Sequence, residues 1–267
     1  MTCSALSISV IYSLLSSIFT AAFLARKETI CALVLSIWTQ FSMYPILLIV
    51  PLLNRIRQDK VWTLFIFFSS LSILTLCNYI LCGNSFKFIE HTYLFTILVE
   101  DLTPNVGVFW YFFTEIFTHF HQFFLILFQL NILVYVIPLA LTLRNAPFLN
   151  LLVSYALICV FVPYPSLSDV TVFITLLPLV EEKHWKGIRY LLIESCTFVT
   201  CIVLMPVMWH LWIVSGSGNA NFYFGVTLFY NIALIQMAID IVHSYLKEDL
   251  KERCPKDVPP NTLIHYD

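Results

Sequence analysis

Glu115 and His119 stand four residues apart, a spacing that brings a carboxylate and an imidazole onto one helical face. Tyr111, Thr118 and Gln122 continue the pattern, so the stretch predicts a polar seam along an aromatic helix. Inside an apolar segment such a seam must face protein or a cavity, because hydrocarbon cannot satisfy it. It reads either as a hydrogen-bonded line between packed helices or as a notch for a lipid headgroup. His119 and His121 diverge by about 200° on a helix and make a poor metal pair. Glu115 with His119 also falls short of a metal's ligand count, so no metal is expected. Glu100-Asp101 is either a solvated loop cap or an acidic pair suited to general-base work. Glu194 and Asp240 lie within about two turns of a predicted membrane boundary, where they could reach the interface or pair with Arg189 or Lys247.

A second polar group follows Pro206-Val-Met-Trp-His-Leu-Trp-Ile, whose Trp209 and Trp212 suit an aromatic belt and whose imidazole is His210. The uncharged loop from Ser215 to Asn221 carries Asn219 and Asn221, amides able to hydrogen-bond sugar hydroxyls. The plain alternative is an interhelical turn. The 8 Cys and 7 His form no CxxC or metal spacing; Cys3, Cys31, Cys77, Cys82, Cys159, Cys196 and Cys201 fall in or beside apolar runs and read as small hydrophobes. No phosphate loop, nucleophile elbow or Cys–His dyad can be built, no cofactor is implied, and no basic cluster suggests nucleic acid.

The elements that must hold these groups are membrane helices. Of 267 residues, 60% are hydrophobic and 11% charged, too little charge for a soluble surface. The fold class is an all-α polytopic membrane protein of about eight transmembrane or re-entrant helices. They are expected over 4–24, 30–53, 61–82, 121–143, 149–163, 169–180, 190–214 and 221–246. Pro45 and Pro51 should kink or break the second. The fifth and sixth are short for spans and read either as two short spans or as one re-entrant pair around Pro163, Pro165 and Ser166. Val106–Leu143 is too long for one span, so a partly inserted helix near 106–119 precedes the fourth, with Trp110 at headgroup level. The whole forms one transmembrane domain over 1–246, followed by a polar cytosolic tail over 247–267.

Alternating the connections puts 11 of the 14 Lys and Arg on one side, in 54–60, at 144, in 183–189 and after 246. By the positive-inside rule that side is cytosolic. Both termini are then cytosolic, and residues 26–28 and the 101–122 element are lumenal.

Several stretches resemble the PIG-U family, the multispanning subunits of the GPI transamidase. They are Asp101-Leu-Thr-Pro-Asn-Val-Gly-Val-Phe-Trp-Tyr-Phe-Phe-Thr-Glu-Ile-Phe, Tyr164-Pro-Ser-Leu-Ser-Asp-Val, Pro206-Val-Met-Trp-His-Leu-Trp-Ile, Gly218-Asn-Ala-Asn-Phe and Ile241-Val-His-Ser-Tyr-Leu. The likeness runs from about residue 20 to 250. It implies a membrane part like that of the GPI mannosyltransferases, in the endoplasmic reticulum, and a non-catalytic role presenting the GPI glycolipid. The nucleophile would come from a separate caspase-like protease subunit. The resemblance places Asp101, Asn105, Trp110, Glu115, His119, His210, Asn219 and Asn221 at a glycolipid cradle. Family members carry further N-terminal spans and a lumenal loop, so this chain is expected to be a fragment or short form. The alternative is a polyprenyl-phosphate-mannose-dependent glycosyltransferase, for which the first predicted lumenal loop offers only Glu28.

Overall fold

The computed structural model describes residues 8–253. Cys3, the start of the first predicted span and the tail beyond Arg253 lie outside them. All regular structure among the described residues is helical. Four helical stretches are long and apolar enough to cross a membrane: Lys60–Leu81, Thr118–Thr142, Leu191–Val214 and Ala220–Arg253. Five shorter apolar helices, Ser9–Leu24, Glu28–Phe41, Tyr44–Arg55, Pro147–Phe161 and Val170–Leu179, fill the space between them.

Helices α1 (Ser9–Leu24) and α2 (Glu28–Phe41) form an antiparallel hairpin, closed at one end by Tyr12 Oη donating to Phe41 O at 3.1 Å. The expected span at 30–53 is not one span. Its helix stops at Ser42, whose backbone is extended, and Pro45 opens a 3-10 turn, Tyr44–Leu48, that leads into α3 (Ile49–Arg55). The chain reverses there, because Arg55 returns to Leu24, its Nη2 donating to the carbonyl at 3.1 Å. No polar loop marks this turn, which is why an unbroken apolar run conceals it.

α4 (Lys60–Leu81) then runs parallel to α2, joined by Ser36–Ser70 at 2.7 Å, Gln40–Thr75 at 2.8 Å and Asn78–Gln40 at 3.1 Å. Side-chain hydrogen bonds of this kind link helices where apolar surface alone gives no preference. The outer face of α4 is bare: only Thr63 and Phe67 are buried along it. α7 (Pro147–Phe161) is the opposite, buried along nearly its whole length with Pro147 at its first position. Thr20 and Trp38 both meet its Tyr155.

Between α4 and α7 lie α5 (Phe109–Glu115) and α6 (His121–Thr142). α6 runs parallel to α3, with Tyr44 bonded to Gln129 and Asn54 Nδ2 donating to Ala140 O at 2.7 Å. α8 (Val170–Leu176) and its 3-10 extension Leu177–Leu179 follow α7, and α9 (Leu191–Trp209) and α10 (Ala220–Arg253) close the bundle as a long hairpin. Pro206 removes one donor inside α9, and a π-turn, His210–Val214, follows it.

Among the described residues these contacts give nine helical passages and a two-ended bundle. One end carries Arg26, Lys27, Arg55, Arg57, Lys60, Arg144, Lys183, Lys186, Arg189, Lys247, Lys251 and Arg253. The other holds Lys87 alone among the described Lys and Arg. Residues 26–28 therefore belong with 55–60 and not opposite them. α1 starts at the cation-poor end and α10 finishes at the other, so the described chain does not begin and end on one side. The extra passage hidden in 30–53 accounts for both corrections, and the charge asymmetry becomes steeper than the sequence suggests.

The two carboxylates inside the apolar helices differ. Asp240 of α10 accepts the backbone N–H groups of Arg189 at 3.0 Å and Tyr190 at 2.9 Å, capping the start of α9 from a neighbouring helix. Glu194 is buried and neither of its oxygens has a hydrogen-bond partner among the described residues.

Candidate functional site

From the cation-poor end of α4 the chain turns back into the bundle. Short helical turns over Lys87–Ile89, Glu90–Leu94 and Phe95–Leu98 carry it inward, and Gln129 Nε2 donates to Thr96 O at 3.2 Å and Ile97 O at 2.9 Å. Val99, in the left-handed region, reverses it. Val106 O then accepts from Asn231 Nδ2 of α10 at 2.9 Å, and α5 leads out again. Gln129 and Asn231 lie about 12–16 Å along their helices from the ends nearest the mouth, so residues 87–115 form a re-entrant loop.

Its lower part is a network of backbone bonds. Asp101 Oδ1 accepts from the Thr103 N–H at 2.9 Å and hydroxyl at 2.5 Å, and these bonds hold its carboxyl below the usual carboxylate range. The Asp101 N–H donates to Tyr164 Oη at 3.0 Å, and the Tyr164 ring stacks on Phe95 at 5.4 Å. Asn105 Oδ1 accepts from Gly107 N at 2.7 Å while its Nδ2 donates to Pro163 O at 3.3 Å. The loop thereby seats on the α7–α8 turn, so closely that a Cβ on Gly107 would stand 2.7 Å from Pro165 Cγ.

The upper part meets the α9–α10 hairpin. Trp110, 3% exposed, stacks on Trp212 at 6.1 Å and touches Tyr223 and Phe224, with its indole N–H buried and unpartnered. Tyr111 stacks on Phe224 at 4.2 Å and donates its hydroxyl to Asn221 Oδ1. Asn221 and Asn219 are exposed at the mouth, Asn219 Oδ1 also accepting from Phe222 N at 3.3 Å at the start of α10.

The structure thus brings Asn105, Trp110 and Asn221 into one assembly, with Asp101 tied to it through Tyr164. It does not bring Glu115 and His119 there. The expected seam fails because α5 ends at Glu115: Ile116 and Phe117 are extended and a 3-10 turn, Thr118–Phe120, precedes α6. Once the helix breaks, i/i+4 spacing no longer means one face. Glu115, His119 and Gln122 are exposed, and the His119 ring lies against Phe120 at 4.2 Å. His210 is exposed on the π-turn, its carbonyl accepting from Ser215 N at 3.0 Å. Glu115→Leu is accordingly expected to move the thermal unfolding midpoint by the equivalent of less than about 0.5 kcal/mol; a larger loss would mean that Glu115 packs against other groups.

Three features escaped the sequence reading. Asn231 is a lone amide within an apolar helix, itself a signal of interior contact. Tyr164 anchors Asp101, and nothing in its spacing announces this. A cavity of about 160 Å3 opens between α1, the α2–α3 corner and α7, lined among others by Tyr12, Ser16, Tyr44, Tyr155, Tyr164 and Asp169. Asp169 Oδ2 accepts from Ser166 N at 2.7 Å at its edge. Among the described residues no three His, Cys, Asp or Glu side chains converge as a metal site.

The fold defines a polytopic helical membrane protein in which a re-entrant loop is clamped to a helical hairpin. A family model described as "GPI transamidase subunit PIG-U" matches residues 1–230, and the chain belongs to that family. The "GPI-anchor transamidase component PIGU" of Homo sapiens is 32% identical over 263 residues, covering 93% of this chain. The "GPI transamidase component GAB1" of Saccharomyces cerevisiae is 34% identical over 227 residues, covering 84%. The alignments take in 60% and 57% of those proteins, so the chain spans well under two thirds of their length.

Proposed function

We propose that the chain acts as a non-catalytic subunit of a GPI transamidase in the endoplasmic reticulum membrane. Its cation-rich end is cytosolic, and the junction of the re-entrant loop with the α9–α10 hairpin, at its lumenal end, receives the GPI glycolipid while the anchor is attached to protein. Bond exchange falls to a separate caspase-like protease subunit among its partners. The observation that carries this reading is the join at Tyr111–Asn221, where the re-entrant loop meets the hairpin. Beside the buried aromatic cluster of Trp110, Trp212 and Tyr223 that fixes this join, the exposed amides of Asn219 and Asn221 offer both donors and acceptors to sugar hydroxyls. The glycosyltransferase alternative loses its expected residue, since Glu28 lies at the cation-rich end beside Arg26 and Arg55.

The test uses cells lacking the family member and supplied with this chain. Asn219→Ala with Asn221→Ala is expected to lower surface GPI-anchored reporter severalfold, while a mild-detergent pull-down still recovers the protease subunit. Tyr111→Phe breaks the same hydrogen bond but keeps both amides, and is expected to retain most of the reporter. Unchanged reporter in the double variant sinks the amide assignment. Failure of the unaltered chain to recover any partner removes the subunit reading itself.

A further inference from the structure

At the cation-rich end a groove of about 1160 Å3 lies between the α1–α2 turn, the end of α3, the start of α4 and the α6–α7 turn. Arg26, Arg55, Arg57, Lys60 and Arg144 line it, against the two carboxylates Glu28 and Asp59. None of the five cations is in an ion pair among the described residues. At the same end Lys183, Lys186, Lys251 and Arg253 are each paired with Glu or Asp at 2.8–3.5 Å, while Lys27, Arg189 and Lys247 stand outside the groove with no ion pair among the described residues. A sidedness signal alone needs positive charge somewhere on the end; it gives no reason for unpaired cations to gather around one concavity.

Arg55 is fixed at the groove's edge. Its guanidinium lies 4.6 Å over the Phe23 ring, Nη2 holds Leu24 O, and Nε is buried without a partner. Beside it, Trp62 at 59% exposure is stacked on Phe65, and the outward face of α4 continues with exposed Phe68. A cationic groove at interface level, opening onto a bare apolar helix face, matches a ligand with a phosphate head and acyl chains.

We propose that this groove binds the phosphate-bearing headgroup of an anionic phospholipid, with the acyl chains lying along α4. Arg55, Arg57, Lys60 and Arg144 hold the phosphate, and Trp62 anchors the glycerol level. This site is separate from the loop–hairpin junction at the opposite end and does not depend on the function proposed for it.

The purified full chain in maltoside micelles, titrated with phosphatidylserine or phosphatidylcholine, provides the test by native mass spectrometry. Phosphatidylserine is expected to be retained at least fivefold better, with about a fivefold loss for each cation neutralised. Because Arg55 also packs on Phe23, the variants used are Arg57→Gln and Lys60→Gln, both exposed. Lys183→Gln with Lys186→Gln, whose charges are already paired, should leave retention unchanged. Equal retention of the two lipids, or no loss in the Arg57/Lys60 double variant, overturns the site. Displacement of lipid by millimolar inorganic phosphate, together with no effect of Trp62→Ala, overturns the lipid assignment in favour of a soluble phosphate ligand.

Discussion

Gly107→Ala is expected to lift the re-entrant loop from its seat and lower stability by about 1–3 kcal/mol, the range for overpacking a closely fitted site. The added methyl would stand 2.7 and 2.8 Å from Pro165 Cγ and Cδ, atoms of a ring that has no rotamer to retreat into. The loop itself must therefore move. Doing so strains the Asn105–Gly107 and Asn231–Val106 bonds and draws Tyr111 from Asn221. Gly225→Ala is the control, because no neighbour lies within 4 Å of the new Cβ and an alanine within α10 favours the helix. Thermal unfolding of the two variants should shift in opposite directions. A parent-like midpoint for Gly107→Ala would show that the loop is loosely seated on the α7–α8 turn.

The second large effect is expected at Asp240. Asp240→Leu leaves the N–H groups of Arg189 and Tyr190 unpaired where α9 begins, at about 1–3 kcal/mol for each amide that stays buried. Asp240→Asn keeps an acceptor oxygen and should fall well short of that loss. Limited proteolysis within 181–190 provides a local readout beside the melting midpoint, since an uncapped α9 frays from that end. If the Leu variant resists heat and protease like the parent, the helix start draws its stability from packing alone.

The long apolar runs at Lys60–Leu81 and His121–Thr142 were legible from hydropathy within a residue or so. Length and composition set a span, and neither depends on what packs against it. The α2–α3 reversal was not legible, because it is made within Ser42–Met43 and a 3-10 turn, with no charged or glycine-bearing loop to interrupt the apolar run. The site divides in the same way. Asn221 was identifiable as an exposed amide near a span end, whereas Trp110, expected as an anchor at headgroup level, is buried in an aromatic stack. Glu115 and His119 misled because helical periodicity was extended across Ile116 and Phe117, where the backbone is extended. Those two positions carry no Pro or Gly to announce the break.

α2, packed against α4, and its hairpin partner α1 are both shorter than α4, with consequences for how the bundle enters the bilayer. α1 and α2, at 16 and 14 residues, measure about 24 and 21 Å, less than the roughly 30 Å hydrocarbon thickness. Neither is a self-sufficient substrate for the lateral gate that releases nascent helices into lipid. α4 has the length to be released on its own and carries the polar partners of α2 at Ser70, Thr75 and Asn78. α1 and α2 are thus expected to wait beside the translocon until α4 emerges and to enter with it, making α4 their retention signal.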